Sequence, residues 1–140
     1  VISHSLPWLP PSGQGLDIWP SDNIEMLRRL SRDPHMMKSV RVDMVAGLAD
    51  LMDLAHQRAG EIDIPTLLLS GEQDQVIPPA AIGTIAKDIR ASNPDRSVVC
   101  LFPDGYHMLL RDLNGPTVIG DIRRWIKGGA AARDFSCTLN

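Results

Sequence analysis

Hydrophobic positions along the chain switch between two spacings, one that marks helices and one that marks strands. From Ser21 onward Ile24, Leu27 and Leu30 recur at helical intervals behind Ser21 or Asp22 as N-cap, with Glu25 in capping-box position to Asp22; this predicts a short amphipathic helix ending before Asp33-Pro34. A longer helix is predicted from Ser39 to Gln57, where Val40, Met44, Leu48, Leu51, Met52 and Ala55 fall on one side and Arg41, Asp43, Asp50 and Asp53 elsewhere. Its apolar face requires a partner. After Gly60 the apolar residues become continuous: Thr66 to Ser70 and Ser97 to Phe102 ("SVVCLF") have the length and composition of strands.

Between the strands, Pro79 opens a helix with Ile82, Ile85, Ala86 and Ile89 in one stripe, ending before Asn93-Pro94. Strand, helix, strand at this spacing predicts a βαβ unit with parallel strands and a right-handed crossover. A last helix follows Asn114-Gly115 with Pro116 in its first turn, shows Val118, Ile119, Ile122, Trp125 and Ile126 on one side, and stops at Gly128-Gly129. The fold class is therefore α/β. Two parallel strands that are apolar on both faces do not make a stable sheet alone, so further strands are expected from upstream of Val1 or from another chain. The first 20 residues, broken by Pro7, Pro10, Pro11 and Pro20 but carrying Trp8, Leu9, Ile18 and Trp19, are expected to form an ordered covering loop.

Composition narrows the function classes. A chain of 140 residues with 44% hydrophobic positions fits one globular domain, and a net charge of −3 with no basic stripe argues against nucleic acid as a partner. No apolar run approaches the roughly 20 residues that span a bilayer, and the start lacks the form of a signal peptide. Cys100 and Cys137 form no CxxC pair and suggest no disulfide framework; Cys100, inside a strand, is expected to behave as a small hydrophobe, with a lean to a reducing, cytoplasmic setting. His4, His35 and His56 show neither HxH nor HExxH spacing, so neither a metal site nor a cofactor is expected. The chain opens on Val1 without a methionine, which suggests a piece of something longer.

In open α/β sheets reactive groups gather beyond the carboxyl ends of the strands. Two loops qualify. "SGEQD" places Asp74 after the first strand, and "PDGYHMLL" places His107 after the second. If the strands are neighbours, the two side chains meet at one rim, where a carboxylate accepts the imidazole Nδ1 proton. The plainer readings stay open: Asp74 is a natural turn residue, and a lone loop histidine is usually just hydrogen-bonded or exposed. Asp104 stands near His107 as an alternative acid, although "PDG" is a strong turn signal.

The run "IPTLLLSGEQDQVIPP", a helix, a strand, "FPDGYHMLLRD" and the amphipathic "VIGDIRRWI" together resemble the C-terminal portion of α/β-hydrolases, closest to the monoacylglycerol lipase and lysophospholipase-like serine hydrolases. The resemblance covers about residues 64 to 127. It implies a C-terminal half of the fold in residues 61 to 140, preceded in residues 1 to 60 by loops and helices like the cap those enzymes insert over the site. It also implies Asp74 as triad acid and His107 as general base. The family's nucleophile lies in G-x-S-x-G on a strand-to-helix elbow, and this sequence contains no such motif. Ser70 has the right order before Asp74 and His107, yet Leu68 stands where the elbow needs glycine, so Ser70 is assigned to a strand end.

These readings imply a fragment of a serine hydrolase acting on small lipid or ester substrates, inert as it stands, with Trp8, Trp19, Met36 and Met37 as candidates to line an acyl pocket. Other α/β-hydrolase chemistries (peptidase, thioesterase, epoxide hydrolase, dehalogenase) and a non-catalytic module pairing through exposed strand edges, with itself or with a missing N-terminal half, are the alternatives.

Overall fold

A computed structural model describes residues 17–37 and 39–139 of the chain. Its elements are α1 (Ile24–Arg32), α2 (Val42–Gln57), β1 (Thr66–Gly71), α3 (Pro79–Ser92), β2 (Ser97–Phe102), α4 (Gly115–Gly128) and β3 (Thr138–Leu139). β1 and β2 pair in parallel from Thr66 opposite Ser97 to Gly71 opposite Phe102, as the βαβ spacing predicts. Equal registers matter for function, because they bring both strands to the rim at the same height.

The third strand was not foreseen. β3 runs antiparallel to β2, with Leu139 opposite Cys100 and Thr138 opposite Leu101, so the sheet order is β1-β2-β3. Part of the expected sheet extension thus comes from the chain's own tail. Two residues are too few for hydrophobic periodicity to reveal, and what holds them is side-chain chemistry before the strand. Cys137 is joined to Cys100 in a disulfide spanning 37 residues with the Cα atoms 5.5 Å apart, and buried Asp121 on α4 accepts the Ser136 amide at 2.9 Å. The reading of Cys100 as an unpaired small hydrophobe is thereby corrected. With it goes the reason for a reducing setting, since disulfides persist in oxidising environments. The same disulfide brings Cys100, Cys137 and Asp121 within 4.8 Å of one another, but both sulfurs are committed to each other.

The core sits where α4 covers β2: Val118 packs with Cys100 and Phe102, and Leu67, Leu69, Leu109, Ile122 and Phe135 close around them. α3 buries Ala86 and Ile89. Its end is tied down by buried Asn93, whose side-chain amide donates to the Ile64 carbonyl at 2.6 Å just before β1. On the other side of the molecule, α1 is capped by Asn23, whose side chain accepts the Met26 amide at 3.0 Å. Neither Ser21 nor Asp22 is the N-cap, and the expected capping box between Asp22 and Glu25 does not form, because Ser21 and Asp22 both bond to the loop that follows β2. Glu25 pairs with Arg29 instead, at 3.1 Å. α2 starts at Val42, three residues later than its sequence pattern suggests, and buries none of its side chains. No helix among the described residues is long and apolar enough to cross a membrane.

Candidate active site

Two turns leave the carboxyl ends of β1 and β2, and backbone hydrogen bonds lock one against the other. The Glu72 amide donates to the Phe102 carbonyl at 3.0 Å and the Gln73 amide to the Gly105 carbonyl at 2.9 Å, while Gln73 Nε2 reaches the Pro103 carbonyl at 3.2 Å. So close an approach needs glycine on both sides. A Cβ on Gly71 would collide with the Gly105 carbonyl and stand 2.8 Å from the Tyr106 oxygen, and one on Gly105 would stand 3.1 Å from Gly71 Cα.

Asp74 emerges from the first turn with its side chain 13% exposed, against 36% for His107. One carboxylate oxygen, Oδ1, accepts the amides of Val76 at 2.7 Å and Ile77 at 3.0 Å, an Asx-type turn that holds the group rigid. The other oxygen, Oδ2, lies 3.0 Å from His107 Nδ1. The turn bonds and the imidazole bond therefore do not compete: one oxygen makes each. Burial acts to raise the Asp74 pKa, but the Ile77 amide, His107 and the Val76 amide outweigh it and hold the carboxyl below its ordinary range. An ionised carboxylate can only accept, so the proton of neutral His107 sits on Nδ1 and the Nε2 lone pair is left for an incoming proton. Asp104 lies exposed in a turn closed by the Gly105 amide on the Phe102 carbonyl, 3.0 Å, and it is Asp74 that takes the imidazole.

Cavities open on both sides of this dyad. One of about 580 Å³ is lined by Ser70, Asp74, Ile77, Ile82, Val99 and Leu101, and one of about 470 Å³ by Leu69, His107, Met108, Leu109 and Ile122. Ser70 lies within β1, in register with Leu101, and the next helix begins only at Pro79, so it does not occupy a strand-to-helix elbow.

Among the residues proposed to line an acyl pocket, Trp19 is brought to the acid turn: its amide donates to Gln75 Oε1 at 2.9 Å and its half-exposed indole to Asp17 at 3.0 Å. Met36 and Met37 lie exposed in the turn after α1, with no hydrogen bond joining that turn to either dyad loop among the described residues. Trp8 lies outside the described residues.

The model of one protein family, described as serine aminopeptidase, S33, matches residues 1–114, a stretch that contains both Asp74 and His107. The chain belongs to this hydrolase family. Membership places it in the α/β-hydrolase superfamily, in keeping with the helices and small mixed sheet seen here. Comparison with curated proteins returns no match. Within such a hydrolase a carboxylate bonded to imidazole Nδ1 at the sheet rim is the arrangement that supports a general base.

Sequence reasoning took Ser21 only as a candidate N-cap and overlooked Asp112; the two bond to each other, and Asp112 accepts the Tyr106 amide beside His107. Both are buried polar groups, yet each looks like an ordinary loop or helix-start residue in the sequence. No periodicity or motif would have singled them out, because their partners are 91 residues apart.

Proposed function

We propose that this chain carries the acid and base of a Ser-His-Asp triad in a hydrolase of carboxylic esters, of the lysophospholipid or monoacylglycerol kind, with residues up to about 60 serving as a helical cap over the site. The observation that supports it is the 3.0 Å hydrogen bond from His107 Nδ1 to Asp74, with one largely apolar cavity, rimmed by Glu72, Lys87 and Arg90, beside Asp74 and another beside His107. In the reaction a serine hydroxyl attacks the acyl carbon while His107 Nε2 takes its proton. His107 then returns that proton to the departing alcohol, and Asp74 holds the ring and stabilises the imidazolium. A water molecule, activated by the same nitrogen, releases the acid. The nucleophile is proposed to lie outside these 140 residues, since they contain no G-x-S-x-G. A second reading, hydrolysis of an N-terminal peptide bond, is favoured by the family description.

The test has two arms. The 140-residue chain should take no fluorophosphonate label and cleave no nitrophenyl ester; a stoichiometric label on it would overturn the assignment of the nucleophile. A chain extended through the preceding coding sequence should be labelled on a G-x-S-x-G serine and should hydrolyse medium-chain monoacylglycerol in preference to aminoacyl nitroanilides. Asp74→Asn in that protein should lower kcat by roughly 10⁴-fold, because the amide stabilises the wrong imidazole tautomer. The reverse substrate preference would favour the aminopeptidase reading.

A further inference from the structure

His107 is the middle residue of three, and the amides on both sides of it are held by groups remote from the sheet. The Tyr106 amide donates to Asp112 Oδ2 at 2.8 Å, and the Met108 amide donates to the Pro20 carbonyl at 2.8 Å. The second oxygen of Asp112 accepts the Ser21 hydroxyl at 2.6 Å, and Ser21 Oγ in turn accepts the Asn23 amide at 3.2 Å. Asp112 is 5% exposed and Ser21 0%, so the cluster is closed to water. Two further bonds fasten the same segments: the Leu113 amide to Asp22 at 2.8 Å, and Asn23 Nδ2 to the Arg111 carbonyl at 3.0 Å.

A buried carboxylate is costly unless its oxygens are satisfied, and apolar packing would join two segments without that cost. What an apolar contact cannot do is fix a backbone amide in direction. Asp112 does this to the amide immediately before the base, by a charge-assisted bond of the stronger kind. The segment 19–23 acts as a strap: Trp19 holds the acid turn through Gln75, Pro20 holds the residue after His107, and Ser21 holds Asp112.

We infer that Asp112 and Ser21 are positioning residues for His107, fixing the backbone on either side of it so that Nδ1 points at Asp74. The inference rests on the reading of Asp74 and His107 as acid and base, but its test is independent of turnover. Asp112 acts on the base through the Tyr106 amide, and Ser21 acts through Asp112 and through the neighbouring Pro20 carbonyl.

The test uses the ¹⁵N-labelled chain at neutral pH, reading the tautomer of His107 from its two ring-nitrogen shifts and the exchange rates of the Tyr106 and Met108 amides. The wild-type chain is expected to hold the Nδ1-protonated form and to protect both amides. In Asp112→Asn and Ser21→Ala, the Nε2-protonated form should gain population and both amides should exchange roughly tenfold faster or more. Asn93→Ala serves as the control: it removes a buried polar bond elsewhere and should lower the unfolding midpoint without moving the tautomer. A folded Asp112→Asn or Ser21→Ala chain with the wild-type tautomer and exchange rates would overturn the inference. So would Tyr106 and Met108 amides that exchange in the wild-type chain as fast as unprotected ones, a measurement that stands even if Asp112→Asn does not fold. Failure of the ester hydrolase reading would show separately, as absence of turnover in the extended protein with the tautomer result unchanged.

Discussion

α2 and the rim of β1 and β2 are both written in apolar residues with a few charges between them, yet they are held in opposite ways. Along α2 the hydrophobic stripe is clear in the sequence, but Leu48 and Leu51 remain 57% and 61% exposed and nothing on the helix is buried. At the rim the deciding residues are two glycines, an aspartate and a histidine, and directed hydrogen bonds lock the two turns and the Asp74–His107 pair in place. Amphipathic periodicity specifies that a helix forms and which face it offers; it says nothing about whether the face is covered. Close backbone approach and directed hydrogen bonds specify a geometry, and the proposed acid–base pair depends on geometry.

The comparison breaks most severely at Gly71. Gly71→Ala places a methyl against the Gly105 backbone, where no flexible side chain can yield, so the two turns must part. The expected cost is about 3 kcal/mol of unfolding free energy, at the upper end for overpacking because backbone, not side chain, has to move. It should show as a lower urea midpoint together with loss of the His107 tautomer preference. Gly47, in α2, has nothing within 4 Å of its would-be Cβ, and Gly47→Ala should leave stability unchanged or slightly raised through helix propensity. Equal costs at the two glycines would erase the distinction between the regions.

Asp74 gives an intermediate effect with a pH signature. Its carboxyl is held below the unfolded value of 3.8, so the ionised form is favoured by folding. That stabilisation is fully present above the unfolded pKa and is lost as pH falls through the lower folded one. Asp74→Asn keeps an oxygen for the Val76 and Ile77 amides but has no charge to lose. The stability gap between wild type and variant should therefore shrink as pH falls below about 4, in urea midpoints measured from about pH 5 downward. A gap that widens below about pH 4 would contradict the assigned direction.

Much of the fold was readable from residue spacing because the elements concerned obey local rules. The βαβ unit, the start of α3 at Pro79 and the end of α4 near Gly128-Gly129 all follow from periodicity and from proline and glycine chemistry. What escaped was set by distant partners. Asn23 caps α1 because Ser21 and Asp22 are drawn off to Asp112 and Leu113, and β3 exists because Cys137 and Asp121 bring the tail to β2. The site divides the same way. Asp74 and His107 were legible as loop residues after parallel strands, whereas the Ser21–Asp112 cluster behind His107 depends on a 91-residue closure that no local pattern encodes.

The smallest effect should come from α2 itself. Leu51→Ser removes an apolar side chain that is already 61% exposed, so little surface leaves or enters water on folding and no cavity forms; the change should stay within about 0.5 kcal/mol. Val118→Ala is the matched truncation in the core, where the side chain is 2% exposed beneath β2, and it should cost about 1–2.5 kcal/mol through lost transfer energy and a residual void. Chemical unfolding of the two variants side by side measures the contrast directly. If Leu51→Ser cost as much as Val118→Ala, the outer face of α2 would be buried in solution. The region that now differs most from the rim would then have to be counted, like it, among the parts that hold the molecule together.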